Sequence, residues 1–142
     1  MGAKFDKSGF NQKVHSLRNL NNMFRQLPSH TAYWYMAEMV ENELNYGLDG
    51  EHIGRPTGTL ARSVRVEDRP YSATVKLNGD GSAPYAPDVN SWTRREYGDT
   101  IIRLTTDRIK PTILETIRNE WRRAAHLIEA GRPYTYHNPF FT

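Results

Sequence analysis

The stretch Leu60-Ala61-Arg62-Ser63-Val64-Arg65-Val66-Glu67-Asp68-Arg69-Pro70-Tyr71-Ser72-Ala73-Thr74-Val75-Lys76-Leu77 changes the hydrophobic period of the chain. Val64 and Val66 alternate with Arg65 and Glu67, and Tyr71, Ala73, Val75 and Leu77 alternate with Ser72, Thr74 and Lys76. Alternation at a step of two predicts strands with one buried face, and Asp68-Arg69-Pro70 between the runs predicts an antiparallel hairpin. Asn78-Gly79-Asp80-Gly81 ends the second strand. A lone two-stranded ribbon is marginal in water, so the hairpin calls for a partner. Thr100 to Thr105 is predicted as a third strand, with either Ile102 and Leu104 or Ile101 and Arg103 inward.

On either side the period returns to three and four. Residues 1–9 are small, charged and Gly-bearing, which predicts a flexible arm. Phe10, Val14, Leu17, Phe24 and Leu27 share one face of a helix that Pro28 is expected to end. A second helix starts at Ser29 or Thr31 and runs to about Asn45, with Tyr33, Met36, Val40 and Leu44 as its stripe and Glu38, Glu41 and Glu43 on the remaining face. Five residues of Gly or Pro between Gly47 and Gly58 predict a loop. After the hairpin, Pro84 and Pro87 argue against a long helix before Asp88 and leave a short turn of helix beyond it. A last long helix starts at Thr106 or Asp107 with Pro111 near its first turn. Its stripe is Ile109, Ile113, Ile117, Trp121, Ala124 and Ile128, and Gly131-Arg132-Pro133 stops it. The result is an α+β class: two N-terminal helices, a small antiparallel sheet, and a long C-terminal helix packed on it. Residues 1–133 form one domain, and residues 134–142 an aromatic tail.

A chain of 142 residues can bury roughly two-thirds of its surface without staples. The absence of cysteine excludes disulfides, thiolate metal sites and thiol nucleophiles. No apolar run approaches the roughly 20 residues that span a bilayer, and the first residues lack a signal-peptide core, so a soluble protein made in the cytoplasm is expected. The net charge of +3 is mild, but its distribution is uneven. Residues 1–30 carry five bases and one acid, and residues 31–54 carry five acids and no base. Residues 55–100 carry seven bases and six acids, and residues 101–142 seven bases and four acids. Such blocks attract one another within a fold or between identical subunits, or serve as solvated helix faces.

No arrangement of residues recommends an enzyme. The five histidines fall in no His-Glu-x-x-His spacing, and Asp49-Gly50-Glu51-His52 offers three ligands where a structural metal needs four. Asn78-x-Asp80-x-Ser82 begins like a calcium loop, but Val89 stands where the closing glutamate belongs. No phosphate-cradling loop or nucleophile elbow is present. Catalytic residues, metals and cofactors are therefore expected to be none. Arg118, Arg122 and Arg123 on the last helix, with Arg94 and Arg95 beside Trp92 and Tyr97, pair cations with aromatics and are the candidate nucleic-acid contacts.

Thr57-Gly58-Thr59-Leu60-Ala61-Arg62-Ser63-Val64 entering a hairpin, then Pro84-Tyr85-Ala86-Pro87-Asp88-Val89-Asn90 and Gly98, then a closing helix, resembles the small neck proteins of tailed bacteriophages. That family carries a Thr-Gly-x-Leu-x-x-Ser turn into its sheet and a Tyr-Ala-x-x-Val helix behind it. The likeness covers roughly residues 30–128. Asn90 stands where an acid is common, and Tyr97-Gly98-Asp99-Thr100 where a direct Gly-Thr is usual, so tail completion, tail termination and head closure all stay open. The resemblance implies a virion structural protein at the head–tail junction, made in the host cytoplasm. It implies a homo-oligomeric ring, sixfold in that family, meeting other neck, connector or tail proteins. Weak contact with DNA in the lumen is implied, and no membrane.

On this reading the candidate interface residues are Arg55, Thr57 and Thr59, then Trp92, Arg94 and Arg95, then Tyr134, Tyr136, Phe140 and Phe141. Four aromatics in so short a tail predict docking, on its own domain or as a strap on a neighbour. As a strap, deletion of residues 132–142 would weaken assembly and leave the monomer folded. The alternative function is a nucleic-acid-binding accessory protein using Arg118, Arg122 and Arg123, and a small metal-dependent enzyme of nuclease or toxin type is the third.

Overall fold

The computed structural model describes residues 6–45 and 58–141. It is a mixed helix-and-sheet structure, 68% helical. Helix α1 spans Lys7–Glu38 and continues directly as a π-helical segment, Met39–Asn45. A single turn, α2 (Thr59–Arg62), leads into strands β1 (Arg65–Arg69) and β2 (Ser72–Lys76). Helices α3 (Ala86–Tyr97) and α4 (Ile101–Glu129) complete the regular structure.

The antiparallel hairpin forms as expected, but its turn is Pro70-Tyr71 rather than Asp68-Arg69-Pro70: Asp68 and Arg69 pair within β1, and Tyr71, expected inward on the second strand, is exposed in the turn. The strands pair antiparallel with Val66 opposite Val75 and Asp68 opposite Ala73, which sets Val66, Ala73 and Val75 on one half-buried face. Lys76 closes on Glu67 across the outer face at 2.9 Å. Among the described residues the sheet has only these two strands.

The expected third strand is instead the first turn and a half of α4. Ile101, Thr105 and Ile109 are buried at steps of four, a helical interval. Thr105 and Thr106 satisfy their hydroxyls inside the helix by donating back to the carbonyls of Ile101 and Ile102, at 2.8 and 2.7 Å. Arg103 pairs with Asp99 one turn earlier. The side-chain oxygen of Asn90 on α3 accepts from the first α4 amide, Ile101 N, which caps the helix from outside. The partner that the hairpin needed is α1, not a strand.

The two expected N-terminal helices are one. The arm expected through residue 9 is helical from Lys7, because the Asp6 carboxylate caps the Gly9 amide at 3.0 Å. Pro28 lies inside α1 rather than ending it. A proline removes one ladder bond and pushes its ring at the carbonyl four residues back, at a cost of about 3 kcal/mol. Two extra bonds flank the proline. The Tyr71 amide of the hairpin turn reaches the Arg25 carbonyl at 3.0 Å, and within α1 itself the Thr31 hydroxyl reaches the Leu27 carbonyl at 2.7 Å. Tyr71 has φ +69°, a value few bulky residues adopt. Its phenol donates to Asn21 at 2.9 Å, and Ser29 donates to Asp68 at 3.1 Å. The hairpin turn is thus fastened across the proline.

Beyond Pro28 the buried face differs from the expected stripe. Leu44 of that stripe is buried, Met36 and Val40 are half-buried, and Tyr33 is exposed; Met39, expected beside the stripe, and Tyr35 are the residues that join Leu44 in the interior. The i→i+5 pattern of the π segment widens its turn, so Met39, Glu43 and Leu44, four and five apart, all face inward. Glu43, expected on the outer face, is therefore buried. These residues pack with Leu60, Val64, Ala86, Ile101 and Ile109 into a first core. A second core, Met23, Leu27, Ala124, Tyr134 and Tyr136, lies on the N-terminal side of the proline.

The turn that carries the family resemblance has a structural part for each residue described. Gly58 takes φ +71° as the N-cap of α2, a left-handed conformation that favours glycine. Leu60 is buried in the first core. Ser63 donates to the Leu60 carbonyl at 2.6 Å, accepts from Asn78 N at 3.2 Å, and its carbonyl takes Gly79 N at 2.7 Å. The end of β2 is tied in this way to the entrance of β1. Gly79 has no room for a side chain, since a Cβ there would lie 2.7 Å from the Arg65 Cβ.

Candidate interaction surfaces

The tail docks in cis. Tyr134 is fully buried and Tyr136 nearly so, inside the second core of their own chain. Their order along α1 follows the chain. Tyr134 N donates to Ser16 Oγ, Tyr136 N donates to Asn19 Oδ1, the Tyr136 hydroxyl meets His30 Nδ1 at 2.6 Å, and Phe140 lies against Trp34 with ring centroids 5.3 Å apart. Tyr134 and Tyr136, candidate interface residues whose tail was expected to dock on its own domain or on a neighbour, are core residues of their own chain, and Phe140 is half-buried beside them. Phe141 remains exposed.

The Tyr134 ring is held by charge as well as packing. Its hydroxyl donates to Glu120 Oε1 at 2.6 Å, and Arg123 reaches both oxygens of the same carboxylate at 2.7 and 3.2 Å. Arg123 also donates to the Thr135 carbonyl at 2.8 Å and sits 5.0 Å from the Tyr134 ring centre. Burial, and then the hydrogen bond to Glu120, raises the Tyr134 hydroxyl far above its ordinary range. The bond to Glu120 raises Arg123 too. Of the three arginines proposed for nucleic acid, Arg123 is committed to this lock. Arg118 and Arg122 are exposed and line a shallow cleft with Asp107, Lys110, Leu114 and Glu115.

The remaining candidates separate. Arg55 and Thr57 lie outside the described residues, as does Asp49-Gly50-Glu51-His52. Thr59 is half-buried at the start of α2. Trp92 is exposed on α3, edge-on to Tyr97 at 6.0 Å, with exposed Arg94 and Arg95 in the last turn. Asp80 spends its carboxylate on Ser82 and on Arg65 at 2.8 Å, a turn rather than a metal loop. Among the described residues no group of three or more His, Asp or Glu side chains could hold a metal. No described helix is long and apolar enough to cross a membrane.

Sequence reasoning missed the larger apolar surface. Leu17 and Phe24, assigned to the core stripe of α1, are 63% and 42% exposed, and on α4 Leu114, Trp121 and Ile128 are 40%, 43% and 39% exposed. An apolar groove of about 570 Å³ continues this surface from Phe24 past Pro28 and Thr31 to Val75 of β2 and Ile102 of α4. The signal lay in the width of the pattern, since both helices carry more apolar positions than one buried stripe requires.

The tail contact makes a pH prediction. Burial lowers the pKa of His30 from its ordinary value near 6.5. The folded chain therefore resists protonation there, so the contribution is full above pH 6.5 and is lost as pH falls. Tyr136 is pushed up to about 12, chiefly by burial and then by the Glu120 charge. Its contribution is full below the unfolded value near 10 and is lost as pH rises toward 12. Thermal midpoints measured across pH should fall on both sides of neutrality, and His30→Gln should lessen the fall just below pH 6.5 without abolishing the acid side, because Glu67 and Asp80, also held below their ordinary values, still lose their contributions at lower pH.

No family model, curated protein or solved structure matches the chain.

Proposed function

We propose that the chain is a structural subunit of the head–tail junction of a tailed bacteriophage, working by assembly into a ring with copies of itself. The observation that carries the assembly reading is the exposure of Leu17, Phe24, Leu114, Trp121 and Ile128 along two adjacent helices. Contiguous apolar surface of this kind marks contact sites on soluble proteins. The phage assignment rests on the resemblance of the sequence Thr57–Val64, Pro84–Asn90 and Gly98 and on the order of elements around them. A glycine-capped turn enters the hairpin, a proline-opened helix follows, and a long helix closes the chain.

The test is the mass and shape of the purified full chain, with its presence in purified particles. A closed ring at several times 16.4 kDa and incorporation at the neck are expected. A monomer at every concentration, absent from particles, would overturn the reading. The nucleic-acid alternative rests on Arg118 and Arg122 beside Trp121. It predicts DNA affinity falling log-linearly with salt, whereas a neck subunit shows little affinity as a monomer.

A further inference from the structure

Leu17 and Phe24 stand seven residues apart on α1, and Leu114, Trp121 and Ile128 repeat at seven on α4. Seven residues are nearly two helical turns, so each set forms a line along its helix. The two lines meet. Phe24 and Trp121 touch edge to face with centroids 5.0 Å apart, and Leu17 and Ile128 line one cleft of about 310 Å³. Together the five side chains expose on the order of 400 Å², as large as patches on monomers that prove functional.

The rims of this trough are basic. Exposed Lys13 and Arg132 line the cleft that Leu17 and Ile128 share, and exposed Arg118 and Arg122 lie beside Leu114, with Glu115 and Asp107 in that same cleft. No acid occurs anywhere from Lys7 to Ala37. Pairing trough to trough between two copies would set arginine against arginine. The charge instead favours an acidic occupant with an apolar handle, and the chain carries one. Residues 31–45 hold three acids and no base. Glu43 is turned inward, but Glu41 is exposed and Glu38 half-exposed, next to Tyr33 and Ala37, which are exposed one turn apart. The opposed charge blocks of the sequence are thus the two ends of one rod.

Leu17 and Glu41 are separated along that rod by roughly 35 Å at 1.5 Å per residue, so no copy reaches its own trough. The geometry points to a head-to-tail contact in which the arginine-rimmed trough of α1 and α4 receives the acidic Tyr33–Asn45 end of the rod, the last turns of α1 and the π segment, from a second copy. Two different patches in contact make a heterologous interface, which repeats and closes into a ring when its rotation allows. This deepens the assembly reading and rests on it.

Two surface variants test the contact, Leu17→Glu in the trough and Glu41→Lys at the acidic end, each checked for wild-type helical content by circular dichroism. Each alone should drop the assembly to the 16.4 kDa monomer or loosen it at least tenfold. Mixed together they should form a one-to-one dimer, because one intact junction survives between the two. Retention of assembly by Glu41→Lys, or no dimer on mixing, would overturn the contact while leaving the ring itself standing. A wild-type chain that never self-associates would instead remove the assembly reading and this contact with it.

Discussion

Replacing Tyr134 by alanine is expected to lower the stability of the free monomer by about 3–5 kcal/mol, the cost of removing a large aromatic from a packed core. The residue is fully buried among Met23, Leu27 and Ala124, so the vacated volume lies between α1 and α4 rather than at a surface that could collapse. Glu120, 6% exposed, would keep Arg123 but lose the Tyr134 hydroxyl donor at 2.6 Å. Tyr134→Phe separates the two effects. It keeps the ring, loses one charge-assisted hydrogen bond, and should cost about 1.5–3 kcal/mol. Chemical denaturation followed by circular dichroism reads both. Deleting residues 132–142 removes Tyr134, Tyr136 and Phe140 together and should leave α1 and α4 without a cooperative N-terminal core. A tail acting as a strap on a neighbour predicts the reverse, a monomer as stable without it as with it. An unchanged midpoint in the deletion variant would therefore restore the strap.

The hairpin was legible because its signal is local. Val66 alternates with Arg65 and Glu67 and Val75 with Thr74 and Lys76, but the turn reads two residues early, because Asp68-Arg69 looks like a loop until it is paired with Ser72 and Ala73. The last helix was legible in its body for the same reason. What escaped was decided at a distance. Pro28 reads as a stop from its neighbours alone, since the donor to the Arg25 carbonyl sits in Tyr71, far along the chain. Thr100 to Thr105 reads as a strand because β-branched residues favour one, and only the burial of Ile101, Thr105 and Ile109 against the first core selects helix. The phase of α1 was misjudged because two apolar faces compete along it. The tail covers Met23 and Leu27, and the face with Leu17 and Phe24 is left open. A single sequence shows both faces and does not rank them. The candidate site followed the same division: the tail was marked by its aromatic density, but whether it closed on itself depended on Ser16, Asn19 and His30, more than a hundred residues away.

The buried acid of the π segment sets the other large expectation. Glu43 is 2% exposed, and Arg108 of α4 donates to its Oε1 at 2.7 Å. Among the described residues Oε2 has no hydrogen-bond partner, so Arg108 carries most of the compensation for a carboxylate held away from water. Removing one member of a fully buried pair typically costs about 3–5 kcal/mol, and here the cost should lie at or below the low end of that range, because the Arg108 side chain is 41% exposed and water can partly replace it. Arg108→Met should show that loss in chemical denaturation. Glu43→Gln should cost less, about 1–2 kcal/mol, because it removes the charge and keeps the shape. The double variant Glu43→Met with Arg108→Met should recover most of the deficit, since a buried pair replaced by apolar side chains of similar volume is often neutral or stabilising. A double variant as unstable as Arg108→Met alone would mean that the arginine acts through the packing of its stem against α1 and not through the carboxylate. Recovery would leave the pair a role in register. Glu43 sits on the widened π turn, and an ion pair to a fixed point on α4 selects which residues of that turn face inward.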